Sequence, residues 1–120
     1  MRIFKNNWFD RFATKEGIKD CELVEVVSKL ETGKAVADLG GNVYKVRVAR
    51  SGEGKSGGYR VILFFRSMEK TFYIYGFSKS DRANISKKEL VAFKEAARKY
   101  FSMSPYEIEK LIRSGQLIEI

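Results

Sequence analysis

Cysteine, histidine and long apolar runs are all scarce in this sequence of 120 residues, and each scarcity excludes a class of protein. The single cysteine, Cys21, excludes an intramolecular disulfide framework and is typical of a reducing cytosol. Because there is no histidine, the usual zinc sites and Ser–His–Asp triads are excluded as well. The longest apolar run, residues 61–65, is far too short to span a membrane, and the first residues lack a signal-peptide core. We therefore expect a single domain, residues 1–120, that is cytoplasmic and has no membrane partner.

Basic residues exceed acidic residues, and this excess, a formal net charge of +8, is confined to one part of the chain. Residues 41–88 contain eleven Lys and Arg but three Asp and Glu, whereas the segments on either side are each balanced. A contiguous basic block indicates a surface that binds a polyanion, most often nucleic acid. The alternative is a protein kept soluble by its charge. A lipid surface is less favoured, because the block contains no basic amphipathic helix.

Three segments of the basic block have the pattern of β-strands. Residues 43–49 alternate, so that Lys45 and Arg47 share one face and apolar residues share the other. The β-branched and aromatic runs at residues 59–66 and 71–77 predict an antiparallel hairpin of central strands.

Helices are predicted before and after this block in the sequence. Before it, apolar spacing predicts a short N-terminal helix and a longer one from a cap at Asp20 to a stop near Gly33. After it, capping boxes at Ser86 and Ser104 begin two more helices. Residues 117–120 are either a short edge strand or a docked tail. This order of elements predicts an α+β fold of two layers.

The glycine-rich segment at residues 50–58 contains Gly-Lys-Ser but does not meet the requirements of a P-loop. That motif needs a glycine where this chain has Ala49, and it needs a helix where a strand follows here. The segment is better interpreted as a strand connection whose Arg50 and Lys55 reach a phosphate backbone. Because the few carboxylates of the basic block are separated in sequence, we expect no metal and no cofactor.

The remaining candidates for chemistry are cations on the predicted strands. Arg60 shares its strand face with apolar residues, so its guanidinium is partly desolvated, which is costly unless an anion binds there. Together with Lys45, Arg47, Lys79 and Arg82, it forms a candidate anion site. The alternative is that these side chains extend separately into water.

Three motifs follow one another in this region: Lys45-Val46-Arg47-Val48-Ala49-Arg50, then Gly54-Lys55-Ser56-Gly57-Gly58-Tyr59-Arg60, then Tyr75-Gly76-Phe77-Ser78-Lys79-Ser80-Asp81-Arg82-Ala83-Asn84-Ile85. As a set they resemble the RelE/HigB toxins of bacterial type II toxin–antitoxin systems, in the RelE/ParE superfamily. The resemblance implies a small twisted antiparallel sheet of about four strands, with helices packed on one side. It also implies that residues 103–120 are a helical extension that the smallest members lack.

The resemblance further implies a function. Such toxins are ribosome-dependent mRNA interferases, that is, endoribonucleases that inhibit translation by cutting mRNA in the ribosomal A site. They use no metal, because the 2′-hydroxyl of the substrate attacks the adjacent phosphate. An antitoxin encoded by the adjacent gene, here expected to be a helix-turn-helix protein, neutralises them.

The resemblance also matches the functional positions of the family to residues of this sequence. The resemblance assigns Lys45, Arg47 and Arg60 to catalytic positions. Many members carry a further arginine and a tyrosine, and the corresponding residues here are Ser80 and Ser86. Arg82 is a candidate substitute for that arginine, which leaves the general base unassigned.

Elementary chemistry is compatible with these assignments. Cleavage through a 2′-hydroxyl requires positioning of the strand and stabilisation of a doubly charged phosphorane. Guanidiniums suit this task because they stay charged and bind phosphate through two hydrogen bonds. Lys45 is a candidate base if crowding by the guanidiniums favours its neutral form. For RNA binding the candidates are Arg50, Lys55, Lys79 and Tyr59, although an aromatic residue on a central strand is more often part of the core.

Two other functions remain open at this point. A ParE-like toxin of the same fold would inhibit a protein target such as DNA gyrase without catalysis, but its relatives usually lack the basic cluster. A nucleic-acid-binding module without toxicity would keep the basic block and lack the catalytic set.

Overall fold

The computed structural model describes residues 1–33, 37–49 and 58–120. Its elements in chain order are β1 (Arg2–Asn6), α1 (Asn7–Glu16), α2 (Asp20–Glu31), β2 (Ala37–Asp38), β3 (Val43–Val48), β4 (Tyr59–Arg66), β5 (Lys70–Ser78), α3 (Lys87–Ser102), α4 (Pro105–Arg113) and β6 (Leu117–Glu119). The predicted α+β class is confirmed. Across the described ranges, no helix is long and apolar enough to cross a membrane.

The strands form one sheet in the order β2-β3-β4-β5-β1-β6. The strands β3, β4 and β5 are antiparallel neighbours, as predicted. The sequence did not predict β1, which lies parallel to β5 and antiparallel to β6 at the end of the sheet. The sheet is therefore mixed and has six strands rather than about four.

Helices cover both faces of the sheet, so the prediction of two layers with helices on one side is wrong. On one face, α1 and α2 pack against alternate strand residues such as Val61 and Leu63. On the other face, α3 and α4 pack against the intervening residues, such as Ile62 and Phe64. All four of these β4 side chains are fully buried, which explains the second layer of helices: a strand that is apolar on both sides needs cover on both sides.

The helix boundaries follow from local capping. The capping boxes at Ser86 and Ser104 are both present and begin α3 and α4. The predicted cap at Asp20 is one residue out of place, because Lys19 occupies the N-cap and makes no side-chain capping bond. Asp20 lies inside α2, where its carboxylate accepts a 2.9 Å hydrogen bond from the buried ammonium of Lys5.

The C-terminal segment is integrated into the core. Ile108 of α4 and Leu117 of β6 are both buried, and β6 pairs with β1 as an edge strand. Arg2 of β1 donates hydrogen bonds to Glu119 at 2.9 Å and to Glu109 at 3.2 Å. The two chain ends are thereby joined at one edge of the sheet.

Candidate functional site

Two rows of residues run across the sheet on the face that α3 covers. The first row aligns Arg47, Arg60 and Phe77 on β3, β4 and β5. The row beside it aligns Lys45 with Ile62 of β4 and Tyr75 of β5. Since paired strands lie about 4.8 Å apart, the three cations are direct or diagonal neighbours. We call Lys45, Arg47 and Arg60 the cationic site.

Arg60 is the most buried cation of this site, with 7% of its surface exposed. Burial, and next the positive charge of Arg47, lower the pKa of the Arg60 guanidinium from its ordinary value. Both effects disfavour the charged form, and a bound phosphate would relieve the repulsion by Arg47. The neighbouring Arg47 is exposed, so a phosphate can approach from its side of the sheet.

Lys45 is held in place by the loop that follows β5. Its Nζ donates a 3.1 Å hydrogen bond to Oδ1 of Asn84. The same oxygen accepts a 2.9 Å hydrogen bond from the backbone N–H of Ile85, which fixes the orientation of the amide. The ammonium of Lys45 therefore has a fixed position beside the Arg60 row.

Arg82 stabilises this loop through several hydrogen bonds. Its guanidinium donates to both oxygens of Glu89, at 2.6 and 3.1 Å, and its Nε donates to the backbone carbonyl of Asn84 at 3.0 Å. Its Cζ also lies 5.5 Å from the ring centroid of Phe77. The Arg82 guanidinium, and next the backbone N–H of Ser86, lower the pKa of Glu89 to about 2. Arg82 thus lies beside the cationic site, but its charge is already paired with a carboxylate.

The other predicted binding residues are distributed differently. Lys79 is exposed directly after β5, whereas Arg50 and Lys55 lie outside the described residues. Tyr59 is buried on the opposite face of the sheet, where its hydroxyl donates a 2.9 Å hydrogen bond to Glu16. This position does not support stacking of a base on Tyr59, because its ring belongs to the core.

The two serines at the family's arginine and tyrosine positions have local structural contacts. The hydroxyl of Ser86 accepts a hydrogen bond from the backbone N–H of Glu89 as the N-cap of α3. The hydroxyls of Ser80 and Ser78 lie 2.6 Å apart. A general base is therefore not provided by either serine.

Sequence reasoning missed the contact between Trp8 of α1 and Tyr75 of β5, which borders the site. The ring centroids of Trp8 and Tyr75 lie 4.7 Å apart at an interplanar angle of 30°. The Tyr75 hydroxyl lies 3.4 Å from Nη1 of Arg82, which links this stack to the loop. Trp8 and Tyr75 both lie in predicted elements, but no local sequence pattern indicates that these two elements meet here.

Metal binding has no support among the described residues, which contain no group of three or more His, Cys, Asp or Glu that could hold an ion. The arrangement instead presents fixed cations to an anion.

The sequence was also compared with protein families. Residues 1–120, the whole chain, match a family described as the RelE toxin of the RelE / RelB toxin–antitoxin system.

Proposed function

Because the chain belongs to the RelE toxin family of toxin–antitoxin systems, we propose that it is an mRNA interferase that cleaves mRNA on the ribosome. Membership of the family makes it a toxin with an antitoxin partner. The proposal of mRNA cleavage rests on the buried Arg60 of β4, which lies opposite the exposed Arg47 and diagonal to Lys45 on one face of the sheet. A toxin that only blocked a protein target would have no need of this arrangement.

The reaction assigned to the cationic site is an internal transesterification of RNA. The 2′-oxygen forms a bond to the adjacent phosphorus, and the bond from phosphorus to the 5′-oxygen breaks. Water takes the proton of the 2′-hydroxyl in this scheme. The products are a fragment ending in a cyclic phosphate and a fragment beginning with a 5′-hydroxyl.

Each cation has a separate role in this scheme. Arg60 and Arg47 hold the non-bridging oxygens as negative charge builds on the phosphorane. Lys45, whose Nζ donates to Asn84, is assigned here to protonation of the leaving 5′-oxygen instead of the base role considered from the sequence, because an ammonium is a proton donor. Arg82 acts through the loop: it holds Asn84, which in turn holds Lys45. We assign contacts with the phosphate backbone of the mRNA or the ribosome to Lys79, Arg50 and Lys55.

Expression of the toxin in cells tests the cleavage proposal. We expect translation to stop promptly and the cellular mRNA to be cut inside codons, with 5′-hydroxyl ends at the cuts. Arrested replication with DNA damage would instead indicate inhibition of a protein such as DNA gyrase. Normal growth with a folded protein would indicate a nucleic-acid-binding module without toxicity.

The antitoxin is proposed to be a helix-turn-helix protein encoded by the adjacent gene. Its contact segment should be acidic, because the face it must neutralise carries exposed basic side chains such as Arg47. Binding should be tight, with a Kd of about 1 nM or below, as is usual for large obligate interfaces. Failure of the two proteins to co-purify would contradict this assignment of the partner.

A further inference from the structure

Trp8, the single tryptophan of the chain, is 41% exposed although its ring has two aromatic neighbours. It stacks on Phe12 of its own helix with ring centroids 5.4 Å apart, and on Tyr75 of β5 at 4.7 Å. An indole is a large apolar group, so its exposed part does not contribute the favourable free energy that burial away from water would give. The fold holds this side chain firmly and leaves part of it uncovered.

Although α1 packs on the opposite face of the sheet, the contact between Trp8 and Tyr75 connects this helix to a residue on the face that carries the cationic site. Tyr75 belongs to the same cross-strand row as Lys45, and Arg60 occupies the next row of β4. Diagonal neighbours of this kind lie about 7–8 Å apart. Tyr75 is therefore a diagonal neighbour of Arg60, and the Trp8 ring lies a further 4.7 Å beyond Tyr75, within reach of a nucleotide that flanks a phosphate at Arg60.

The exposed side of α1 adds positive charge beside Trp8. Arg11 and Lys15 follow Trp8 by three and seven residues, which places all three on one face of the helix. Both cations are exposed, and in the part of the chain that the structure describes neither forms an ion pair. Asp10 points away from this face, since its carboxylate pairs with Lys5 at 2.9 Å. Basic side chains beside an exposed aromatic ring are an arrangement that binds single-stranded nucleic acid.

We propose that Trp8 stacks on a nucleobase of the mRNA that flanks the cleaved phosphodiester, and that Arg11 and Lys15 contact the backbone of the same strand. This inference rests on the proposed RNA cleavage and extends the site from the sheet onto α1. Stacking fixes the strand beside Arg60 and tolerates any base, because every base has a flat face. Trp8 is thus assigned as a substrate-binding residue, with no part in the chemical step.

Two measurements test this assignment. The first compares cleavage of ribosome-bound mRNA by the wild type, Trp8→Leu and Trp8→Phe. We expect Trp8→Leu to lower kcat/KM about tenfold, within the roughly 5- to 150-fold range that one stacked base is worth. Trp8→Phe should recover most of that loss, because phenylalanine retains a flat ring. The matched control is Tyr106→Leu, which removes an aromatic side chain that is 70% exposed on α4 and should change kcat/KM less than about twofold.

The second measurement uses tryptophan fluorescence, excited selectively over tyrosine, which in this protein reports Trp8 alone. The probe is a single-stranded RNA oligonucleotide with 2′-methoxy groups, which binds but cannot be cleaved. We expect the oligonucleotide to quench the fluorescence, and Arg11→Ala with Lys15→Ala to weaken this binding and reduce its salt dependence.

The outcomes separate this inference from the proposed function. A wild type that does not cleave ribosome-bound mRNA refutes the cleavage, whatever Trp8 does. If the wild type cleaves, the inference is overturned by normal kcat/KM in Trp8→Leu, by failure of Trp8→Phe to rescue it, or by unquenched fluorescence at saturating RNA. Loss of antitoxin binding with unchanged cleavage in Trp8→Leu would also overturn it, because the surface would then belong to the antitoxin.

Discussion

Replacing Gly76 with alanine should destabilise the fold, although the change adds one methyl group. Gly76 lies on β5 directly under the ring of Phe12. A Cβ at this position would lie 2.4 Å from Cε2 and 2.9 Å from Cδ2 and Cζ of Phe12. Ordinary carbon contacts begin at about 3.5 Å, so the ring would have to retreat by about 1 Å.

The surroundings of Phe12 determine how much this retreat costs. The ring has Trp8 at 5.4 Å, Tyr59 at 5.7 Å and Phe9 at 5.9 Å between centroids, so it cannot move without disturbing them. Overpacking of this kind costs about 1–3 kcal/mol. Alanine offsets about 0.4–1 kcal/mol of that by restricting the unfolded chain. The net loss in the free energy of unfolding should therefore lie between about 0 and 2.6 kcal/mol, with a midpoint of about 1.3 kcal/mol.

Urea denaturation measures this loss as a lower midpoint at an unchanged m value. A melting temperature lower by about 4 °C per kcal/mol should accompany it in a chain of this size. The control is the same substitution in a Phe12→Leu background, where the smaller side chain leaves room for the methyl group. The two changes should then be non-additive by about 0.5–3 kcal/mol. Equal effects of Gly76→Ala in both backgrounds would refute the reasoning.

Three further predictions concern charge and hydrogen bonding. Because the pKa of Glu89 is lowered from 4.5 to about 2 by Arg82 and by the backbone of Ser86, its carboxylate stabilises the fold above pH 4.5, and this stabilisation disappears as the pH falls toward 2. The advantage of the wild type over Glu89→Gln in urea titrations should therefore shrink between pH 7 and pH 3, and a constant difference would contradict the ion pair. Tyr73→Phe should lower the free energy of unfolding by about 1 kcal/mol in the same assay, since the buried hydroxyl of Tyr73 donates a 2.6 Å hydrogen bond to the carbonyl of Leu23. An unchanged midpoint would show that this bond contributes nothing to stability. Binding to RNA or the ribosome should weaken at least tenfold from about 50 to 200 mM salt if about five cations contact phosphates, and a flat response would indicate that the basic block serves only solubility.

The parts of the fold that were predicted correctly are those that depend on short, local sequence patterns. The capping boxes at Ser86 and Ser104 each need only a glutamate three positions later, and the hairpin of β4 and β5 needs only a short turn. Strand β1 was missed because its partners are distant in the sequence, and because Lys5 interrupts its apolar pattern. The structure accommodates this lysine by pairing it with Asp10 and Asp20 at 2.9 Å.

The same distinction applies to the candidate site. Alternation along β3 and β4 was enough to place Lys45, Arg47 and Arg60 on one face. It also places Tyr59 on the face opposite Arg60, so its core position follows from the same rule. The pairing of Arg82 with Glu89 depends on how the loop returns to α3, which no local pattern specifies. The contact between Trp8 and β5 depends in the same way on where α1 crosses the sheet.

The central claim is that Arg60 stabilises the phosphorane during mRNA cleavage, and cleavage by Arg60→Ala tests it most directly. The matched control is Arg66→Ala, since Arg66 lies on the same strand but pairs with Glu69 at 3.6 Å and contacts the ring of Phe101. With all variants shown to be folded by thermal melts, Arg60→Ala should cleave ribosome-bound mRNA about 10²–10³ times more slowly, whereas Arg66→Ala should stay close to the wild type. Arg60→Lys should recover little of the rate, because lysine keeps the charge but lacks the planar pair of donors. Cleavage at the wild-type rate by a folded Arg60→Ala would contradict the claim.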